Sequence, residues 1–270
     1  MAIEAVKLSE TIGSEIRGGI EEILKPEVAA EIRRQLVDRG VLVFKELNIA
    51  DADQVRLAGM IGKLRDEGEN HVFKITIDPE QNAKADYLKG SFLWHMDGTH
   101  DRVPVFGSLL SGRRLSAEGG DTLFANSYAA YEALPEEKKR QYEDLRVVHS
   151  FATSMHLTGV ARTAENEAYW ASIPDQTHRL VWTHESGRKS LVIGCHAKEV
   201  VGMDKAESDA LIEELMAWVT QDRFVYRHKW SVGDMLIWDN TGVLHRAEPY
   251  AFDSGRMMHR TTLLGEEAFS

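Results

Sequence analysis

Residues 223–265 constrain this chain most. Four short segments, "RFVYRHKW", "DMLIWDN", "VLHRAEPY" and "RMMHRTTLLG", follow one another with only turn residues between them. Runs of β-branched and aromatic residues bounded by Gly, Asp, Asn and Pro read as strands. Many short strands with a few helices outside them point to a closed double-sheet β fold of the jelly-roll type. The expected class is mainly β with flanking helices.

The helices are legible further upstream. "PEVAAEIRRQLVDR", residues 26–39, carries Val28, Ile32, Leu36 and Val37 at helical spacing, with Gly40 as a stop before the apolar run "VLVFKEL". "DADQVRLAGMIGKL" reads as a second helix capped by Asp51 or Asp53. "MDKAESDALIEELMAWVT", residues 203–220, is the clearest helix, with Asp204 as cap and Leu211, Leu215 and Trp218 on its apolar face. "VPVFGSLLSGRR" and "TLFA" read as strands, and the helix after them restarts at Pro135. Residues 65–93 lose any period, apart from one strand at "HVFKITI". A loop that long inside a compact domain points to function. No linker or repeat divides the chain, so one domain is expected over residues 1–270, with 64–93 as a substrate lid.

Composition excludes several classes. The 270 residues carry a formal net charge of -11, which would repel a phosphate backbone, so nucleic acid is not expected as a partner. A single cysteine, Cys195, cannot form an internal disulfide, and no apolar run approaches membrane-spanning length. The start "MAIEAVKLSETIGSEIR" has no signal-peptide core, which makes a reducing cytoplasm the expected location. Homo-oligomer formation is left open.

The chemistry is carried by "LWHMDGTHD", residues 93–101. In an extended segment side chains alternate faces, so His95 and Asp97 point the same way and can supply two ligands of one metal. A solvated polar turn is the alternative. His245 in "DNTGVLHRAEP" is the candidate third ligand, or else a core histidine. Two imidazoles and a carboxylate on one face of an octahedral ion leave open positions, the arrangement used by non-haem Fe(II) oxygenases. The same three groups can also bind zinc in a hydrolase. Arg256 and Arg260 follow His245 by 11 and 15 residues and share one strand face with Met258 and Thr262. A buried guanidinium needs an anionic partner, and a dicarboxylate cosubstrate would supply one.

The set "WHMDGTH", "GGDTLFANSYAAYEALP", "HESGRKSLVIGCHAKEVVGMD", "WDNTGVLHRAEP" and "RMMHRTTLLG" resembles the taurine dioxygenase and aryloxyalkanoate (herbicide) dioxygenase family of Fe(II)/α-ketoglutarate enzymes, from about Ile12 to the end. The resemblance implies a double-stranded β-helix with His95, Asp97 and His245 on the iron. It also implies that Thr122 of "GGDT" and Arg256 hold the distal carboxylate of α-ketoglutarate, with Arg260 close to both cosubstrate and prime substrate. The family reaction consumes O2 and α-ketoglutarate, releases succinate and CO2, and hydroxylates a small molecule. Asp97 is present, which favours hydroxylation over halogenation.

This sequence departs from the pattern at His100, where many relatives carry an aromatic residue, and in residues 64–93, where His71 is a candidate substrate contact. The main expectation is hydroxylation of a small organic substrate, an anionic aryl ether or sulfonate, with C–O or C–S cleavage after collapse of a hemiacetal-like product. Arg260 then reads the substrate anion, shares the cosubstrate, or pairs with an acidic neighbour such as Asp121. The same chemistry on a steroid, lipid or natural-product intermediate is the alternative. A non-catalytic jelly-roll binding protein is the third class.

Overall fold

The strands are short because each crosses a thin two-sheet core, and their alternation sets which side chain faces which layer. The computed structural model describes residues 3–80, 82 and 85–269. Strands Glu4–Lys7, Ser14–Arg17, Val41–Phe44, Met235–Asp239, Gly107–Arg114, Met257–Leu263 and Phe73–Ile75 lie side by side in that order as a seven-stranded sheet. Pairing is antiparallel except between Ser14–Arg17 and Val41–Phe44. A second sheet holds Val225–His228, Thr122–Asn126 and Val243–Ala247.

The two sheets pack face to face. Val41, Val43, Leu110, Leu236, Trp238 and Met258 of the large sheet meet Phe124 and Val243 of the small one. The residues between them along the strands, Leu42, Phe44, Leu109, Met235 and Ile237, turn to the other side. There they bury against helices Pro26–Arg39 and Asp51–Ile61, which contribute Ile32, Leu36, Leu57 and Ala58. A strand wanted by both layers is apolar at every position, which is why "VLVF" is buried throughout. On the outer face of the small sheet, Ala125 and Leu244 join Leu211 and Leu215 of helix Lys205–Val219. Each of the larger apolar side chains among them contributes about 1.5–3 kcal/mol on burial.

Most boundaries follow the sequence reading. Pro26 opens the first long helix, and Gly40 closes it at φ +73°, with its N–H donating to the Leu36 carbonyl at 2.8 Å. A Cβ at Gly40 would stand 2.8 Å from Val243. Asp204 caps Lys205–Val219 by accepting from the Glu207 N–H at 2.9 Å.

The cap of Asp51–Ile61 is a correction. Ala50 occupies the cap position without a side-chain bond, and Asp51 is already helical. Its carboxylate is drawn instead to Arg113 (2.6 Å) and the His259 ring (2.8 Å), two stronger partners than a backbone amide. The irregular stretch after residue 64 keeps one strand, Phe73–Ile75, and a 3-10 turn, Tyr87–Phe92. A further three-stranded sheet (Ala197–Val200, Arg146–His149, Gln176–Arg179) and a hairpin (Val181–Thr183, Lys189–Leu191) complete the fold. Among the described residues no helix is long and apolar enough to cross a membrane.

Candidate active site

The segment carrying His95 and Asp97 is irregular chain, but it is tied down on every side. The His95 N–H donates to the His245 carbonyl at 3.1 Å and the His245 N–H donates back at 2.9 Å, an isolated antiparallel bridge that joins the early motif to the late one. Asn240 clamps the next residue but one: its Oδ1 accepts from the Asp97 N–H at 2.9 Å and its Nδ2 donates to the Asp97 carbonyl at 2.6 Å. Residues 194–196 brace the segment from behind, the Cys195 N–H donating to the Trp94 carbonyl (2.8 Å) and the Met96 N–H to His196 Nε2 (3.4 Å).

These ties bring the three predicted ligands together. His95 Nε2 lies 3.6 Å from Asp97 Oδ1, and His245 Nε2 lies 3.7 Å from Asp97 Oδ2. One atom from each falls within 4.8 Å of the others, and among the described residues this is the one group of three or more such side chains with that geometry. Adjacent ligands of an octahedral ion with bonds of about 2.1 Å stand about 3 Å apart, so a small contraction seats a divalent ion. The donor set fits iron. His95 Nδ1 donates to the Leu93 carbonyl at 2.7 Å, which leaves the Nε2 lone pair free for a metal.

Burial, and then His95, push the His245 imidazole down to about 3, so it is neutral and competent to ligate near neutral pH. Burial pushes the Asp97 carboxyl up, but the His245 and His95 imidazoles and the Arg260 and Arg65 guanidiniums outweigh it and hold the group below the ordinary carboxylate range.

Two cavities meet at the triad. The narrower, about 80 Å³, lies between the sheets and is lined by Thr122, His245 and Ala247 from one and by Leu110, Trp238 and Arg260 from the other, with Arg256 at its end. Arg256 is 4% exposed and has no carboxylate within ion-pair distance among the described residues, Asp121 acting on it only from further off. It donates to the Gly120 carbonyl at 3.1 Å and lies 4.6 Å over the Tyr250 ring. Burial pushes its protonation down, as expected of a cation short of an anion. Gly120, at φ +77°, lets it in: a Cβ there would stand 2.9 Å from Arg256 Nε. Thr122 Oγ1 accepts from Trp230 Nε1 at 3.0 Å, which keeps its hydroxyl hydrogen available.

The wider cavity, about 240 Å³, is walled by Tyr87, Phe151 and Met155 on its apolar side and by His95, Asp97, His100 and Arg260 on its polar side. Larger surface grooves, such as that of about 680 Å³ beside Glu118 and Arg227, contain no triad residue.

Two expectations need correction. Arg260 does not pair with Asp121, whose carboxylate is held by Arg227 at 2.8 Å. It reaches Glu67 at 3.4 Å and Asp97 at 3.9 Å instead, because Glu67 is brought in by a bond from the Thr262 hydroxyl on the same strand face. His71 lines neither cavity. It sits at φ +64° in a tight turn with Nδ1 on the Arg65 carbonyl at 3.0 Å. Sequence reasoning passed over Asn240 and Glu67. Asn240 stands inside "WDNTG", where an amide beside the late histidine motif was the available signal. Glu67 left none.

Residues 4–262 match the family model described as "Taurine catabolism dioxygenase TauD, TfdA family". An alpha-ketoglutarate-dependent 2,4-dichlorophenoxyacetate dioxygenase of Cupriavidus pinatubonensis is 33% identical over 98% of this chain and 94% of its own. An alpha-ketoglutarate-dependent sulfate ester dioxygenase of Pseudomonas putida is 29% identical, over 94% and 87%. The crystal structure of AAD-2 with Mn(II) and N-oxalylglycine superposes with a TM-score of 0.85 at 31% identity, covering all of both chains. The chain belongs to the TauD/TfdA dioxygenase family. It is an alpha-ketoglutarate-dependent dioxygenase, with Fe(II), α-ketoglutarate and O2 as metal, cosubstrate and oxidant.

Proposed function

We propose that this enzyme hydroxylates a small anionic organic molecule of the aryl ether, sulfonate or sulfate ester kind, on a double-stranded β-helix (jelly-roll) core formed by the two facing sheets. The observation that carries the reading is that the buried, anion-lacking Arg256 lines one cavity with His95 and His245 of the metal triad, while Asp97 stands beside them on the wall of the wider cavity. In this reading His95, Asp97 and His245 hold the iron, and Arg256 with Thr122 holds the distal carboxylate of α-ketoglutarate. The bound iron and cosubstrate supply oxidative decarboxylation to succinate and CO2, coupled to hydroxylation of a substrate C–H.

The protein's own contributions are positional. The Leu93 carbonyl orients the His95 ring and Asn240 fixes the backbone of Asp97. Residues 64–93 act as a lid over the substrate, since Tyr87, Leu88, Gly90 and Ser91 line the wider cavity and Glu67 ties the segment to Arg260. Tyr87, Phe151 and Met155 suit an aromatic ring, and Arg260, which lines both cavities, is the cation a substrate acid would reach by displacing Glu67. When the hydroxylated carbon bears oxygen or sulfur, the product is hemiacetal-like and collapses, so the net outcome is C–O or C–S cleavage. The enzyme works in the cytoplasm, in one domain, on small molecules rather than nucleic acid or membrane.

Succinate release from α-ketoglutarate with Fe(II), measured across aryloxyalkanoates, sulfonates and alkyl sulfates, tests the reading. At least one class is expected to yield succinate and cleaved product in equal amounts. Succinate no higher than in Asp97→Ala with every acid would refute it. Comparing the best acid with its neutral amide in wild type and Arg260→Ala then tests the anion reading: loss of cosubstrate affinity with an unchanged acid preference would remove Arg260 from that role.

A further inference from the structure

The polar groups on the wall of the wider cavity are nearly all committed. Ser91 donates its hydroxyl to the Leu88 carbonyl (2.6 Å) and Ser154 to the Phe151 carbonyl (2.7 Å). His196 accepts from the Met96 N–H through Nε2 and bonds His149 through Nδ1 at 2.7 Å. Arg260 is engaged by Glu67 and Asp97. Two buried nitrogens remain without a partner: Arg260 Nε, on a guanidinium that is already ion-paired, and one on His100. His100 lines the cavity beside His95 and Asp97, its Nδ1 is buried with no hydrogen-bond partner, and its ring stands edge-on to Phe151 with centroids 5.5 Å apart.

No hydrogen bond ties either ring nitrogen to a described residue, so the ring is free to serve a ligand in the cavity it lines. Burial holds the imidazole neutral, so it offers one N–H and one lone pair. The tautomer with its proton on Nε2 leaves a lone pair, not an N–H, at the enclosed Nδ1. With Nδ1 shut away, Nε2–H is the donor that can meet a ligand in the cavity.

We propose that His100 is a specificity-determining residue whose Nε2–H donates to an acceptor oxygen on the prime substrate, remote from the carbon that is oxidised. The substrate class is therefore an aromatic acid with an oxygen-bearing ring substituent, such as a carbonyl or nitro group. This rests on the function proposed above. The ring lies between Phe151 and the metal side of the cavity, and its substituent reaches the imidazole edge.

The test measures binding, so that it does not depend on turnover. Protein loaded with Mn(II) and α-ketoglutarate is titrated with 2-, 3- and 4-acetylphenoxyacetic acids and with the matching isopropyl acids, which have similar shape and no acceptor. At least one acetyl acid should bind about tenfold tighter than its isopropyl partner, the equivalent of about 1.4 kcal/mol. His100→Phe should bring that ratio to about one while leaving the isopropyl acid within roughly threefold of wild type. His100→Gln, which restores an N–H donor, should recover part of the preference and serves if the Phe variant does not fold. Equal binding of the pairs by wild type, or a preference that survives in His100→Phe, overturns the assignment and leaves the proposed function standing. Binding of none of these acids overturns the assignment and removes the aryl ether class from the proposed function, leaving its sulfonate and sulfate ester classes to the succinate assay.

Discussion

Replacing Arg256 with Met should separate cosubstrate binding from folding, with opposite signs. In the protein without cosubstrate the guanidinium is buried, and its direct compensation is the Gly120 carbonyl at 3.1 Å and the Tyr250 ring at 4.6 Å. An apolar side chain of similar length removes the desolvation cost, and such replacements are often neutral or stabilising by about 1–4 kcal/mol. The melting temperature of the cosubstrate-free variant should therefore stay level or rise by a few degrees, at about 2–4 °C per kcal/mol for chains of roughly this size.

The distal carboxylate of α-ketoglutarate loses a charge-assisted fork worth about 1.5–3 kcal/mol per hydrogen bond, which raises Kd by at least about 100-fold. At a concentration 100 times the wild-type Kd, cosubstrate stabilises wild type by about 2.7 kcal/mol and the variant by about 0.4 kcal/mol. Thermal unfolding with Mn(II), with and without α-ketoglutarate, reads both effects as a large shift in wild type and one of about a degree in Arg256→Met. An undiminished shift in the variant would assign the carboxylate to another cation. A variant that melts many degrees lower without cosubstrate would make Arg256 a structural residue.

Asn240→Ala frees the Asp97 backbone and should weaken metal binding by about 10–100-fold, the usual effect of losing a partner that orients a ligand. Titration with Mn(II) measures it, and an unchanged affinity would show that the bridge between His95 and His245 suffices. Burial holds His149 down to about 3 and His184 down to about 4, both below the ordinary 6.5. The unfolded chain thus binds protons that the folded chain refuses, and stability falls as pH drops below 6.5, by about 1.4 kcal/mol per histidine per pH unit. Urea unfolding in EDTA between pH 7.5 and 5 should show this fall, whereas a flat profile would mean that these rings are protonated in the native state. Glu67→Gln removes the carboxylate that competes for Arg260, so a substrate acid should bind several-fold tighter while its amide is unaffected, as titration calorimetry would record. Equal effects on acid and amide would detach Arg260 from the substrate anion.

What the sequence discloses here is what depends on period and local order. Alternation put His95 with Asp97 and Arg256 with Arg260, and both pairs do come together, His95 and Asp97 on irregular chain held by the His245 bridge and Asn240, Arg256 just ahead of the strand that carries Arg260, because near neighbours in the chain stay near in the fold. Helix boundaries at Pro26, Gly40 and Asp204 were legible for the same reason, since caps and stops act within one turn. Asp51 failed as a cap because Arg113 and His259, 62 and 208 residues away, compete for its carboxylate. No local rule ranks a distant guanidinium against a nearby amide.

Glu67 shows how far that limit reaches into function. Read from spacing, Arg260 was a cation left over once Arg256 had taken the cosubstrate, and an anionic substrate followed from the surplus. The fold places Glu67 against it, 193 residues distant in the chain. Among the groups that line the two cavities or ion-pair with Arg260, two arginines and two carboxylates, Arg256, Arg260, Asp97 and Glu67, then cancel, as a divalent metal and dianionic α-ketoglutarate cancel each other. Neutrality therefore places no demand on the substrate. If the enzyme takes an acid, selection for the anion must come from its displacing Glu67 from Arg260, and the released carboxylate belongs to the segment that would cover the substrate. Acid binding and the position of residues 64–93 are thereby coupled through one ion pair, and a neutral substrate leaves that pair intact.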